Sequence, residues 1–192
     1  IPTDPSEVMT AAQAGAALLG QHVPAGEKVL VIGGDGLHTA VAAAGYVIVA
    51  HADEAPAAVI QGFAPHLGWK DLAEATYAIN AGARYIATNL DLTLPTERGM
   101  APGNGSLVGV VRTATGVTPL SAGKPEPAMY HLAAAKAGAE RPMMIGDRLD
   151  TDLRGANAAG MPGLLVLTGV SSVRDTLLAP PEDRPQYIGA DL

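Results

Sequence analysis

The segment "GDRLDTD", residues 146–152, places Asp147, Asp150 and Asp152 within six positions, with Arg148 the only cation among them. Like charges at this spacing repel unless a cation sits between them, and a hard divalent ion with oxygen ligands is a natural neutraliser. A second group of interest stands in "AGKPEP", where Lys124 occupies a Gly–Lys–Pro turn, 23 positions before Asp147. Pro125 biases Lys124 toward extended backbone, and Pro127 suits the first turn of a following helix. A fixed lysine beside a carboxylate-held Mg²⁺ is what phosphoryl transfer needs, because charge develops on the non-bridging oxygens. The simpler alternative is a decorated helix start. Thr151 would then cap the helix, Asp150 and Asp152 would complement its dipole, and Asp147 would belong to a polar turn.

These groups need elements to hold them. The chain alternates short β-rich runs with helical patterns: strands "KVLVIGG", "YVIV", "AAVIQGF" and "ARYIATN" interleave with helices "LHTAVAAAG" and "WKDLAEATYAINAG". A helix is also expected in "DPSEVMTAAQAGAALLGQH", with Asp4 or Ser6 as its cap and Pro5 in its first turn. "LDLTLPTERGMAPGNG" reads as a long Pro/Gly-rich connection, followed by a helix over residues 106–114. After the loop "TGVTPLSAGKPEP" come helix "AMYHLAAAKAG", strand "PMMIG", helix "TDLRGANAAG", strand "GLLVLTG", helix "SSVRDTLLA" and strand "QYIGA". Alternation of this kind implies α/β architecture with parallel sheets covered by helices. The loop divides the chain into blocks 1–121 and 122–192. Asp147 follows a strand, and in open α/β sheets ligands bind beyond the carboxyl ends of strands.

Composition narrows the function classes. With 192 residues, 48% of them hydrophobic, the chain can bury a real core. The net charge of −7 and the absence of any Lys/Arg cluster argue against nucleic acid as a partner. No apolar stretch reaches the length of a membrane span. The chain has no cysteine, which removes disulfides and thiolate metal sites and fits a reducing cytoplasm.

"GKPEP" followed by "GDRLDTD" resembles motifs III and IV of the haloacid dehalogenase-like phosphatases, and most closely the class IIA, NagD-like branch. "ATNLDLTLPTERGMAPGNGSLV" is similar to a segment of that branch's cap, so the likeness extends over nearly the whole chain. The resemblance implies a Rossmann-like core with an inserted α/β cap: residues 1–121 as the cap, and 122–192 as the C-terminal part of the core. It implies that Asp147 binds Mg²⁺, that Asp152 holds the site through the lysine, and that Lys124 orients the nucleophile and screens phosphoryl charge. Asp150 has no family role and is expected to face solvent.

In this family an aspartate of an Asp-x-Asp-Gly segment attacks the ester and forms an aspartyl-phosphate. A second aspartate two residues on acts as acid and base. Neither that segment nor the phosphate-gripping Thr/Ser–Asn–Asn segment occurs in these 192 residues. The expectation is therefore a nucleophile upstream of Ile1, and a chain that is inactive alone. The three strands expected in 122–192 also fall short of the about 4–6 of an ordinary sheet. The implied reaction is Mg²⁺-dependent hydrolysis of a small phosphate monoester such as glycerol 3-phosphate, 2-phosphoglycolate, a sugar phosphate or p-nitrophenyl phosphate. Within the cap-like segment, Asn89, Asp91 and Thr96 are candidates for substrate contact; a turn held by its own Asn and Asp side chains is the competing reading. Caps of this family often mediate dimers, so a homodimer through the cap is one expected assembly. A nucleotide- or cofactor-binding Rossmann-like module and a non-catalytic cap fragment used for assembly are the rival classes.

Other signals lead elsewhere. "VIGGDGLH" lacks the Gly-x-Gly-x-x-Gly spacing of a dinucleotide site, and "TPLSAGKP" lacks the first glycine and the Ser/Thr of a P-loop. Histidines 22, 38, 51, 66 and 131 show no metal-ligand spacing. "NGS" at 104–106 reads as turn and helix cap.

Overall fold

The computed structural model of the chain describes Asp4 and residues 7–192. They form two compact units, one spanning Thr10–Gly123 and the other Lys124–Leu192 together with the described residues up to Met9. Both are mixed α/β, as the alternating pattern requires.

In the first unit, helix α1 (Ala11–Gly20) opens on a capping box. Thr10 Oγ1 accepts the Gln13 N–H at 3.2 Å, and Gln13 Oε1 accepts the Thr10 N–H at 3.0 Å. Two orphan donors are satisfied reciprocally, and this fixes the start at Ala11 instead of near Asp4. The other proposed start signals, Pro5 and Ser6, lie outside the described residues. Strands β1 (Lys28–Ile32), β2 (Val47–Val49), β3 (Ala58–Gln61) and β4 (Arg84–Ala87) follow the expected runs, joined by α2 (Asp35–Ala43) and α3 (Trp69–Asn80). "VIGG" is the tight strand-to-helix turn, with Gly34 capping α2.

Two elements depart from expectation. Residues 93–102 form an antiparallel hairpin, β5 (Thr93–Thr96) with β6 (Gly99–Pro102), where a plain connection was expected. Pro95 and Pro102 argued for coil, but in an isolated two-stranded ribbon both strands are edges, where a missing N–H is tolerated. Gly99 takes φ 118°, a region that an L side chain rarely enters. Helix α4 (Asn104–Thr115) follows, and then a two-residue strand β7 (Leu120–Ser121) inside the expected inter-domain loop. The sheet is fully parallel in the order β2-β1-β3-β4-β7, so its switch point lies between β1 and β3. Leu30, Val59, Ile60 and Ile86 are wholly buried in it, as suits strands covered on both faces.

The second unit holds α5 (Ala128–Lys136), β8 (Met144–Gly146), α6 (Arg154–Ala158), β9 (Gly163–Val166), α7 (Val173–Leu178) and β10 (Tyr187–Gly189). Its parallel sheet runs β10-β9-β8. Leu149, Leu153, Leu165 and Ala179 form its buried cluster. Lys136 Nζ donates to the Val8 carbonyl at 2.7 Å, tying Val8 to α5. Between β8 and α6, residues Leu149–Leu153 make a wide, π-helical turn. The helical path thus starts before Thr151, whose hydroxyl caps nothing: Oγ1 is buried without a partner among the described residues. No helix among the described residues is long and apolar enough to cross a membrane.

Candidate active site

Strand β8 ends at Gly146, and the next six residues carry the three aspartates. They do not converge on one cation; each has its own partner. Asp152, with its side chain 4% exposed, receives the Lys124 ammonium on Oδ1 at 2.6 Å. Its Oδ2 accepts the backbone N–H groups of Asp147 and Arg148, both at 3.2 Å. Asp150 lies at the surface, as expected, and takes Arg148 as a fork: Nε to Oδ1 at 3.2 Å and Nη2 to Oδ2 at 3.0 Å. Those hydrogen bonds hold its carboxyl below the usual aspartate range, against a smaller opposing effect of desolvation. Asp147 is separate from both. Its Oδ2 accepts the Val170 N–H at 2.9 Å, and its carbonyl accepts the Ser171 N–H at 2.9 Å. The idea that mutual repulsion calls for a shared cation is therefore corrected: the charges are relieved one by one, by Lys124, Arg148 and main-chain donors.

Close packing places these carboxylates. A Cβ added at Gly146 would lie 2.5 Å from Asp152 Cβ, and one added at Gly169 would lie 2.1 Å from Asp147 Oδ2. Each acid thus rests over a residue with no side chain. Ser171 Oγ accepts the Leu149 N–H at 3.1 Å and joins the β9–α7 loop to the start of the wide turn. Asp147 Oδ1 has no hydrogen-bond partner among the described residues, so one hard oxygen is left for an outside ligand. That donor chemistry fits Mg²⁺, which commonly takes one or two protein carboxylates and fills its other positions with water and substrate oxygens. Among the described residues no group of three or more His, Cys, Asp or Glu side chains could surround an ion.

Asn89, Asp91 and Thr96 belong to the other unit. Asn89 Oδ1 accepts the Asp91 N–H at 3.2 Å, and Thr96 Oγ1 donates to the Gly99 carbonyl at 2.7 Å while accepting from Arg98 N at 3.3 Å. Their polar side chains thus stabilise turns, whereas the exposed Asp91 carboxylate makes no such bond. Residues 89–92 are fastened to the start of α4. Gly103 N donates to Leu92 O at 2.9 Å and Gly105 N to Asp91 O at 2.8 Å, while buried Asn104 donates through Nδ2 to Asn89 O at 2.8 Å. A Cβ at Gly105 would lie 2.1 Å from Leu90 O. The "PGNG" run is therefore a clasp for this loop, a role that its turn-like composition did not reveal.

Comparison with known proteins bears on this geometry. Residues 121–192 match the HAD-hydrolase-like family. The chain is 40% identical over 177 residues to the acid sugar phosphatase of Staphylococcus aureus (strain USA300), covering 91% of this chain and 67% of that one. It belongs to the haloacid dehalogenase-like family. This HAD-family chain is also 51% identical over 186 residues to the D-glycerol 3-phosphate phosphatase of Mycobacterium tuberculosis, covering 97% of itself and 53% of that protein. It superposes with TM-score 0.93 at 51% identity on the glycerol phosphate phosphatase of M. tuberculosis solved in complex with magnesium, over 96% of this chain and 56% of that one. The chain thus spans about half the length of the M. tuberculosis relative. Lys124, Asp147 and Asp152 all fall inside the family-matched residues, whereas Asn89, Asp91 and Thr96 lie outside them.

Proposed function

We propose that these residues are part of a Mg²⁺-dependent phosphatase that hydrolyses a small phosphate monoester, glycerol 3-phosphate first among the candidates. Residues 10–123 would serve as its cap, and the unit beginning at Lys124 would supply part of its core. The observation carrying this reading is the 2.6 Å contact between Lys124 Nζ and a buried Asp152, beside an Asp147 with one oxygen unengaged. The names of the relatives, a D-glycerol 3-phosphate phosphatase and an acid sugar phosphatase, support the substrate class.

In this reading Asp152 spends one oxygen on the lysine and the other on two main-chain N–H groups, so it fixes the direction of the ammonium. Two ammonium hydrogens then remain to meet phosphoryl oxygens as charge gathers on them. Asp147 would hold Mg²⁺ through its unengaged oxygen; when bound, the ion polarises the phosphoryl group and balances its charge. The nucleophilic aspartate, absent from these residues, would come from upstream chain. Within residues 10–123, Asn89, Asp91 and Thr96 would be the candidates for substrate contact, Asp91 being the one whose carboxylate makes no hydrogen bond among the described residues. A cytoplasmic setting and a homodimer through residues 10–123 complete the reading, the latter supported by the exposed Leu92 and Met100 flanking and within the hairpin.

The test uses the longer protein that contains this sequence. Hydrolysis of p-nitrophenyl phosphate and glycerol 3-phosphate should require Mg²⁺ and stop with EDTA, while the 192-residue chain alone stays inactive. Asp147→Asn should remove most of the activity without unfolding the protein. Lys124→Ala should lower kcat at least about a hundredfold, as expected for loss of a transition-state charge partner. Tight nucleotide binding without Mg²⁺, and no ester hydrolysis, would favour a cofactor-binding module instead.

A further inference from the structure

Lys124 and Asp152 stand 28 positions apart, on different segments, and nothing in the pair itself sets how deep the carboxylate sits. The wide turn that carries Asp152 has an unusual bond pattern. The Arg148 carbonyl accepts from both Asp152 N at 3.0 Å and Leu153 N at 3.1 Å, so the turn is one residue looser than an α-helical one. Such a turn needs an outside support. Tyr130, on α5 just after the lysine loop, is 5% exposed and lies against this turn. Its hydroxyl donates toward two successive carbonyls, Thr151 O at 3.1 Å and Asp152 O at 3.0 Å. Gly155 makes room for the ring: a Cβ there would fall 2.3 Å from the tyrosine oxygen and 2.4–2.5 Å from two ring carbons. Burial, together with the neighbouring Asp152 charge, pushes the phenol well above its ordinary range, so it remains a donor.

We propose that Tyr130 is the positioning residue of the Lys124–Asp152 pair: from α5 it holds the wide turn at the depth where Asp152 meets both the lysine and the two main-chain donors. Tyr130 touches no reacting group. It links the segment after the lysine to the segment that bears the acid, and Gly155 is the position that allows this contact. The inference rests on the phosphatase reading only for its kinetic consequence; the geometric part stands by itself.

Tyr130→Phe keeps the ring and removes the hydroxyl. In the longer protein it should lower kcat for p-nitrophenyl phosphate about 10–100-fold while KM stays within about twofold, since sub-ångström misplacement of a catalytic group acts on the chemical step. In the 192-residue chain, the backbone amide signals of Asp147 and Arg148, which donate to Asp152, should move in the nuclear magnetic resonance spectrum of the variant. Gly155→Ala, which displaces the ring, should move the same two signals. A purely structural role predicts a lower melting temperature with kcat and both signals unchanged, and that result overturns the proposal. If the parent protein shows no phosphatase activity, the functional reading falls, but the amide signals still decide whether Tyr130 positions Asp152.

Discussion

Replacing Lys124 by Met tests the site in the chain as it stands, without any need for a nucleophile. Methionine keeps the unbranched stem and removes the charge that faces Asp152 at 2.6 Å. Removing one partner of a fully buried ion pair costs about 3–5 kcal/mol, whereas exposed pairs are worth about 0–1 kcal/mol. This pair is mixed, with the acid side chain 4% exposed and the lysine side chain 42% exposed. Asp152 also keeps its two main-chain donors at 3.2 Å. A cost of about 1–2 kcal/mol follows, between those limits. That loss corresponds to a roughly 5–30-fold rise in the unfolded fraction of this unit. Hydrogen exchange at the buried Leu153 and Leu165 amides, at pH 7, reads that rise directly. Asp152→Asn in the Lys124→Met background should recover part of the loss, because it removes the stranded charge. Exchange within about twofold of the parent in the single variant would refute the claim that the pair is coupled and desolvated.

Other expectations are equally open to measurement. Gly146→Ala puts a methyl 2.5 Å from Asp152 Cβ; it should destabilise the unit by about 1–3 kcal/mol, read by the same exchange experiment. Gly105→Ala meets Leu90 O at 2.1 Å; faster exchange at the Gly103 and Gly105 amides should follow. Asp183, 5% exposed, takes Arg154 as a fork at 2.6 and 2.8 Å. Arg154→Ala should cost about 2–3 kcal/mol in urea unfolding, since it leaves a buried carboxylate without its ion-pair partner. Asp150 has a folded-state carboxyl held below its unfolded value by Arg148. Its contribution is therefore present above the unfolded value near pH ~3.9 and is lost as pH falls through the lower, folded one. At pH 7, Asp150→Asn should change stability by less than about 0.5–1 kcal/mol, because the pair is exposed; its effect should vanish in melts below that window.

The parts of the molecule that follow a repeating pattern were legible from residues alone. Apolar runs such as "KVLVI" and "AVIQ" announced buried parallel strands, and glycines after "VAAA" and "YAINA" marked helix ends. Type and spacing singled out Lys124 and Asp152, which meet at 2.6 Å across 28 positions. What misled was chemistry with two uses. Pro95, Gly99 and Pro102 read as coil because the same residues suit an edge ribbon. Asp4-Pro5-Ser6 outweighed the quieter Thr10–Gln13 box, which nevertheless fixes α1. Three nearby acids suggested one shared cation because sequence does not say which way a side chain points. Tyr130 carried no signal at all: a tyrosine on a helix looks like core until its hydroxyl is seen beneath a turn 21 positions away.

Glycines 146, 155 and 169 mark where Asp152, Tyr130 and Asp147 come to rest, each filling the volume that a methyl would occupy. The site could thus be charted by adding matter, not only by deleting it. One extra carbon at any of these three addresses evicts a particular neighbour while leaving every functional atom in the chain. Variants of that kind would separate what the acids do from where they must be, a distinction that truncating the acids themselves cannot draw.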